Sequence, residues 1–146
     1  MKGIRIYRYC LDTEAFYNEM KREGQLLKTY YDNGMSYKEF LVNLSYLDSN
    51  RFVYKEDKIL GHVFATGSDV DSCFVHFCVL RRGLRYVLET TEELLLSFGV
   101  KNLFVKIPAY KSDVIKIMAR FSFKYLCDLP DFSSGGIDYK LFRRKQ

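Results

Sequence analysis

His62 and His76 are the chain's two imidazoles, and each falls in a segment that alternates like a β-strand. A neutral imidazole takes up a proton near pH 7, directly or through a water, so either could act as a base. If the 67–71 connection folds as a hairpin with Thr66 opposite Ser72, the index sum of 138 sets His62 directly opposite His76. Two facing imidazoles would lower each other's pKa by charge repulsion. A register slip of one residue would destroy that pairing. The plainer alternative is two structural histidines on half-buried strands; a two-histidine metal site lacks a carboxylate companion.

The second chemical feature is Arg81-Arg82-Gly83-Leu84-Arg85, which follows an apolar run and opens a helical one. A strand that delivers the chain to a helix start turns unpaired N–H groups and the positive dipole end outward. Such a terminus binds phosphate, and Arg81, Arg82 and Arg85 would add charge around it. A solvated helix start is the alternative. Cys10, Cys73, Cys78 and Cys127 form no CxxC pair, and each lies in an apolar or strand-like run, as buried free thiols do. They support neither a zinc site nor a disulfide framework, and no metal ligands are assigned.

The elements that must position these groups follow from periodicity. Ile4 and Ile6 share one face of a first strand, which leaves the core near Arg8. Asp12 or Thr13 caps a helix carrying Phe16 and Met20, stopped near Gly24. A short helical piece through Leu26, Leu27 and Tyr30 ends at Asn33-Gly34. Ser36-Tyr37-Lys38-Glu39 has capping-box spacing ahead of an apolar face of Phe40, Leu41, Leu44 and Leu47. Strands are expected over about 51–55, 58–66 and 72–80, then a helix from Leu84 to Phe98 stopped by Gly99. A strand at 101–107, a helix around 112–121 and strands at 122–127 and 137–142 complete the order β-α-α-β-β-β-α-β-α-β-β.

Length and composition set the outer bounds. The chain has 146 residues and 17.3 kDa, is 48% hydrophobic and 28% charged, and holds 12 Tyr and 12 Phe with no Trp. That apolar mass excludes wholesale disorder, and the absence of a repeat or interior linker points to one domain over 1–146. No apolar stretch approaches the roughly 20 residues of a membrane helix, and the N-terminus lacks the apolar run of a secretory signal. The expectation is a cytoplasmic protein made without a leader. A net charge of +5 and a pI near 9.0 favour anionic partners, or simply solubilise the surface. The basic Arg143-Arg144-Lys145 end reads as an exposed, frayed tail; with no recognition helix or known motif, nucleic acid is not the expected partner.

This order resembles the GNAT superfamily of N-acetyltransferases over nearly the whole chain. The resemblance rests on Lys58-Ile59-Leu60-Gly61-His62-Val63 as the family's third strand, and on Phe77-Cys78-Val79-Leu80-Arg81-Arg82-Gly83 as its fourth strand entering the pyrophosphate loop. Phe121-Ser122-Phe123-Lys124 resembles the Gly-Phe-Lys stretch that leads into the sixth strand. It implies an α/β (α+β) fold, a mixed central sheet of about seven strands flanked by about four helices. It also implies acetyl-CoA as cosubstrate, with pyrophosphate at Arg81, Arg82, Gly83, Leu84 and Arg85. The family loop reads Arg/Gln-x-x-Gly-x-Gly/Ala; here Gly83 is kept, while Leu80 and Arg85 replace the first and last positions. A working loop with different packing and a remnant that no longer takes CoA both fit that departure.

The resemblance also distributes roles. Pantetheine enters between the fourth and fifth strands, and a backbone amide near Cys78 or Val79 polarises the thioester carbonyl. The amine attacks directly, with His76 where some members carry a catalytic base. The usual leaving-group tyrosine position falls on Met118, so Tyr110 and Tyr125 are the substitute acids, or the thiolate takes its proton from solvent. Asp12, Glu14, Asp128 and Asp131 could meet a cationic amine, or be plain surface. The implied function is acetyl transfer to an amine on a small molecule or protein. The alternative is an inactive GNAT-fold binding or assembly module, with Tyr7, Tyr17, Tyr30, Tyr31 and Tyr37 as interface aromatics and a homodimer among the assemblies. Divergent members of the family also occur in bacteriophage genomes.

Overall fold

Seven strands form one sheet in the order β1-β2-β3-β4-β5-β7-β6, seen in a computed structural model that describes residues 3–25, 35–47, 49–132 and 135–146. In chain order the elements are β1 (Ile4–Tyr7), α1 (Thr13–Arg22), α2 (Tyr37–Tyr46), β2 (Ser49–Lys55), β3 (Lys58–Thr66) and β4 (Ser72–Val79). A 3-10 turn (Arg81–Gly83) leads into α3 (Leu84–Leu96), followed by β5 (Asn102–Pro108), α4 (Ser112–Arg120), β6 (Lys124–Leu129) and β7 (Tyr139–Lys145). The expected helical piece through Leu26, Leu27 and Tyr30 lies outside the described residues. Neighbouring strands run antiparallel except β4 and β5, which are parallel. The expected α/β fold and element order are those observed.

Local chemistry starts and stops these elements. Asp12 accepts the Ala15 amide at 3.0 Å to cap α1, and Ser36 accepts the Glu39 amide at 3.1 Å to cap α2. Gly24 and Gly99 take φ of +72° and +66° just beyond α1 and α3, a conformation that glycine adopts without a Cβ penalty. Two apolar cores form on opposite faces of the sheet. On one, Val87, Leu94 and Leu95 of α3 and Met118 of α4 pack on Val75, Leu103, Val105 and Ile107. On the other, Phe16 and Met20 of α1 and Phe40 of α2 cover Phe52, Cys78 and Leu80. Each fully buried ring there contributes about 2–3 kcal/mol.

Several details differ from the sequence-based expectation. The basic C-terminal end is not a frayed tail, because β7 runs on to Lys145 and pairs with β5 through Asn102. Arg144 is buried, and its guanidinium holds Glu92 with both amino groups and donates to the Phe121 carbonyl at 3.0 Å. Alternation along β7 turns Arg144 inward with Phe142, and a paired guanidinium can lie there. Cys127 is exposed on the edge strand β6, while Cys73 and Cys78 are buried. Tyr17 is not an interface residue: it is buried and donates to the Met35 carbonyl at 2.5 Å. Tyr7 packs edge-on against Tyr54, Tyr37 packs on Tyr17, and Tyr30 and Tyr31 lie outside the described residues.

Ser122 adopts φ of +68° where α4 ends, a conformation that costs an L-residue about 1–2 kcal/mol. Replacing Ser122 by glycine should therefore raise the thermal midpoint by about 2–4 °C in calorimetry, despite the looser unfolded chain.

Candidate functional site

Between β4 and β5 the sheet opens. The two strands pair only at 72–74 with 102–104, and beyond Phe74 and Phe104 each is committed elsewhere. β4 stays with β3 as far as Val79 opposite Gly61, while β5 stays with β7 as far as Pro108 opposite Tyr139. Since sheets twist, strands held by different neighbours diverge. The result is a cleft of about 280 Å³, with Val79 and Val105 on opposite walls.

The cleft has an apolar side and a polar side. Odd positions of β4 and β5 face α3 and α4, so Val75, Val79, Val105 and Ile107 join Val87, Val114 and Met118 on the apolar side. Even positions face the side of α1 and α2, where His76 and Lys106 line the gap, with Gln25 and Tyr139 also contributing. Backbone direction follows the same alternation. The Leu80 amide bonds to the Leu60 carbonyl of β3 at 3.0 Å, and the carbonyl of Asp71, just before β4, accepts from Asn102 of β5 at 2.9 Å. Counting from either end turns the amide of Val79 to the β5 side and that of Cys78 to β3. The Cys78 thiol is buried against the Met20 sulfur at 3.3 Å.

At one end of the cleft lies the start of α3, where no side chain caps the backbone amides. Leu84, half-exposed, lines the cleft there. Gly83 is indispensable to this packing: a Cβ on it would stand 2.2 Å from the Leu60 carbonyl oxygen. Arg81, Arg82 and Arg85 are exposed around the turn. Two carboxylates of the α1 region already meet it. Glu23 accepts the Arg81 amide at 3.0 Å, and Glu19 pairs with Arg82, which also donates to the Ile59 carbonyl at 2.9 Å. Arg85 faces Glu89 at 3.7 Å on the helix surface.

The histidines do not face each other. Thr66 pairs with Phe74, so the index sum is 140, His62 lies opposite Cys78, and His76 lies opposite Phe64. The cause is the hairpin turn. Asp69 accepts the amides of Asp71 and Ser72 at 2.8 and 2.9 Å, and this tight local loop delays the ladder. A slip of two keeps both imidazoles on one face but places Phe64 between them. Phe52, His62, Phe64 and His76 form a continuous stack with successive centroid separations of 4.2, 4.7 and 4.9 Å. His62 is fully buried, its Nε2 is 2.7 Å from Asn50 Oδ1, and it does not line the cleft. Burial first, and His76 second, push its pKa down to about 3. His76 reaches the cleft, with Nε2 2.7 Å from the Thr66 hydroxyl. Burial and then the Lys106 cation lower its pKa to about 4.

No protein-family model and no curated sequence matches this chain. Solved structures do. The ribosomal L7/L12 alpha-N-protein acetyltransferase RimL, in an apo crystal form, matches with a TM-score of 0.82 at 9% identity, over 100% of this chain and 92% of that one. A GNAT family acetyltransferase from Elizabethkingia anophelis with acetyl-CoA bound gives 0.74 at 12% identity over 100% of both chains. Spermidine N-acetyltransferase from Vibrio cholerae, in complex with CoA and spermine, gives 0.76 at 11%, covering 100% of this chain and 97% of that one. The chain has the GNAT fold.

Within that fold the tyrosines fall differently from the sequence-based candidates. Tyr110 is 68% exposed and Tyr125 is 53% exposed on β6, and neither is among the residues lining the cleft. The Tyr125 hydroxyl is hydrogen-bonded with Asp128, which raises its pKa. Tyr139 lines the cleft instead, buried at the first position of β7, its pKa raised by burial and then by Tyr110. In sequence it looked like one more strand tyrosine after Gly135-Gly136; only its register opposite Pro108 brings it to the gap. Lys106 was equally silent, an even position in a strand whose odd positions are apolar.

The two neutral histidines make stability depend on pH with a definite sign. Between pH 6.5 and about 4 the unfolded chain protonates both, while the native GNAT fold keeps both neutral, so stability falls as pH falls. Each histidine contributes a slope of about 1.4 kcal/mol per pH unit. Urea denaturation of His76→Gln should show a shallower loss across this window than the parent chain.

Proposed function

We propose that this GNAT-fold chain is an acetyl-CoA-dependent N-acetyltransferase that moves an acetyl group to an amine by direct attack. The open gap between β4 and β5, running to an uncapped helix start, carries this reading. A pantetheine arm needs a slot with apolar walls and a strand edge to bond with, and the Val79 edge facing Val105 offers both. The diphosphate would rest at the turn from Arg81 to Arg85, displacing Glu23 from the Arg81 amide, with the three arginines around it. Neighbours of this fold were crystallised with acetyl-CoA and with CoA, which supports acetyl-CoA as the cosubstrate. A closed or ring-filled groove would have counted against the enzymatic reading and for the inactive binding module, and the groove is open.

Roles follow from position. The Val79 amide, turned to the β5 side, stands where negative charge would develop on the thioester oxygen. Cys78 shapes this strand from the other side through its buried thiol rather than by its amide. His76 is the proposed acceptor for the amine's proton. At a pKa of about 4 it is neutral throughout the physiological range but holds a proton weakly, so the proton must pass on to water. Tyr139, and not Tyr110 or Tyr125, is the proposed donor to the leaving thiolate, because it lines the cleft.

Calorimetric titration with acetyl-CoA tests the reading, with heat of binding expected for the parent chain. Val114→Trp places a ring in the apolar side and should weaken binding at least tenfold with an unchanged thermal midpoint. No heat at millimolar acetyl-CoA would refute the assignment. His76→Gln should lower kcat about 10²-fold or more while leaving acetyl-CoA affinity intact.

A further inference from the structure

The polar side of the cleft carries an unusual charge balance. The charged residues lining the cleft are Lys106 and Lys111, and among the described residues no aspartate or glutamate lines it. The acids that sequence offered for a cationic amine are engaged elsewhere or absent from the lining. Asp12 caps α1, Asp128 bonds Lys140 at 2.7 Å, and neither Glu14 nor Asp131 borders the gap. Among the described residues no carboxylate lies within ion-pairing distance of Lys106 or Lys111.

Lys106 is held in place as well as unpaired. Its ammonium sits 4.9 Å from the ring centroids of both Phe74 and Phe132, a cradle of two π faces that fixes the charge without neutralising it. Desolvation lowers its pKa, and its charge is felt at His76. The cation therefore stands beside the proposed base, on the side where the acceptor would approach. The arginines of the loop are tied to the start of α3 instead, so Lys106 is not another part of the diphosphate cradle.

We propose that Lys106 selects the acceptor: an amine that carries a carboxylate close to its nitrogen, with the carboxylate bound at Lys106 and with Lys111, which also lines the cleft, supporting it. This rests on the acetyltransferase reading and specifies its substrate class. A fixed, half-buried ammonium gains a counter-ion from such an acceptor. The same positive charge disfavours protonation of the incoming nitrogen, which suits a weakly basic His76. A polyamine would instead bring further ammonium groups against Lys106 with no carboxylate in the lining to offset them.

Three probe amines separate the outcomes: glutamate, a C-terminally amidated peptide with a glutamate first residue, and spermidine. Thiol release from acetyl-CoA should run with kcat/KM at least tenfold higher for one of the first two than for spermidine, and which of them leads distinguishes a free amino acid from a peptide end. Lys106→Gln should raise KM for that acceptor about tenfold with acetyl-CoA affinity unchanged, and Lys106→Glu should shift preference toward spermidine. Preference for spermidine in the parent chain, or indifference to both substitutions, overturns the proposal while leaving acetyl transfer standing. Titration of the acceptors alone into the parent and Lys106→Glu proteins decides the matter independently of acetyl-CoA. Binding of a carboxylate amine that is lost in the variant supports the assignment, and no binding of either one rejects it.

Discussion

The parallel contact between β4 and β5 is three residues long, and the site depends on its being no longer. Both strands are fully satisfied on their outer sides, β4 by β3 and β5 by β7, so neither needs the other to pair its backbone. Sheet twist then separates them, and α3 and α4 roof one side of the gap without filling it. Extending the ladder a few residues would consume the strand edge at Val79. Shortening it would release the closed end near Phe74 and Phe104, where the two rings lie 5.5 Å apart.

The histidine stack is the second consequence of register. Four flat rings cross β2, β3 and β4 on the face under α1, beginning at buried Phe52 and ending at the cleft with His76. Such stacking suits neutral imidazoles, and burial keeps them neutral. His62 thereby serves as a packed ring anchored to Asn50, supporting the plane in which Phe64 and then His76 lie. Its influence at the cleft is through position.

The loop before α3 shows how a reduced motif can still be organised. Gly83 alone provides the close approach to Leu60, and Arg85 stands on the exposed helix surface. Contacts from α1 take up part of the loop's charge, through Glu19 on Arg82 and Glu23 on the Arg81 amide. An anion arriving at this terminus meets a preformed turn already held by one ion pair, Glu19 with Arg82, and by one hydrogen bond from the Arg81 amide to Glu23.

Alternation and helical spacing were enough to read the element order, because which face is buried is a local property of period 2 or 3.6. The caps at Asp12 and Ser36 and the stop at Gly99 were legible for the same reason, since each acts within three or four residues. Gly83 and the arginines stood out because a helix start after a strand is itself a sequential feature. What could not be read is whatever depends on register across the sheet. A nested Asp69 turn moved the β3–β4 ladder by two residues, which separated His62 from His76 and set Phe64 between them. Pairing of β7 with β5 drew Tyr139 to the gap and buried Arg144, both of which look like ordinary strand or tail residues in sequence. Lys106 acquires its meaning only from two rings 32 residues before it and 26 residues after it in the chain. Local sequence determines which faces are apolar and where elements begin; long-range pairing decides which polar groups share the one place the sheet comes apart.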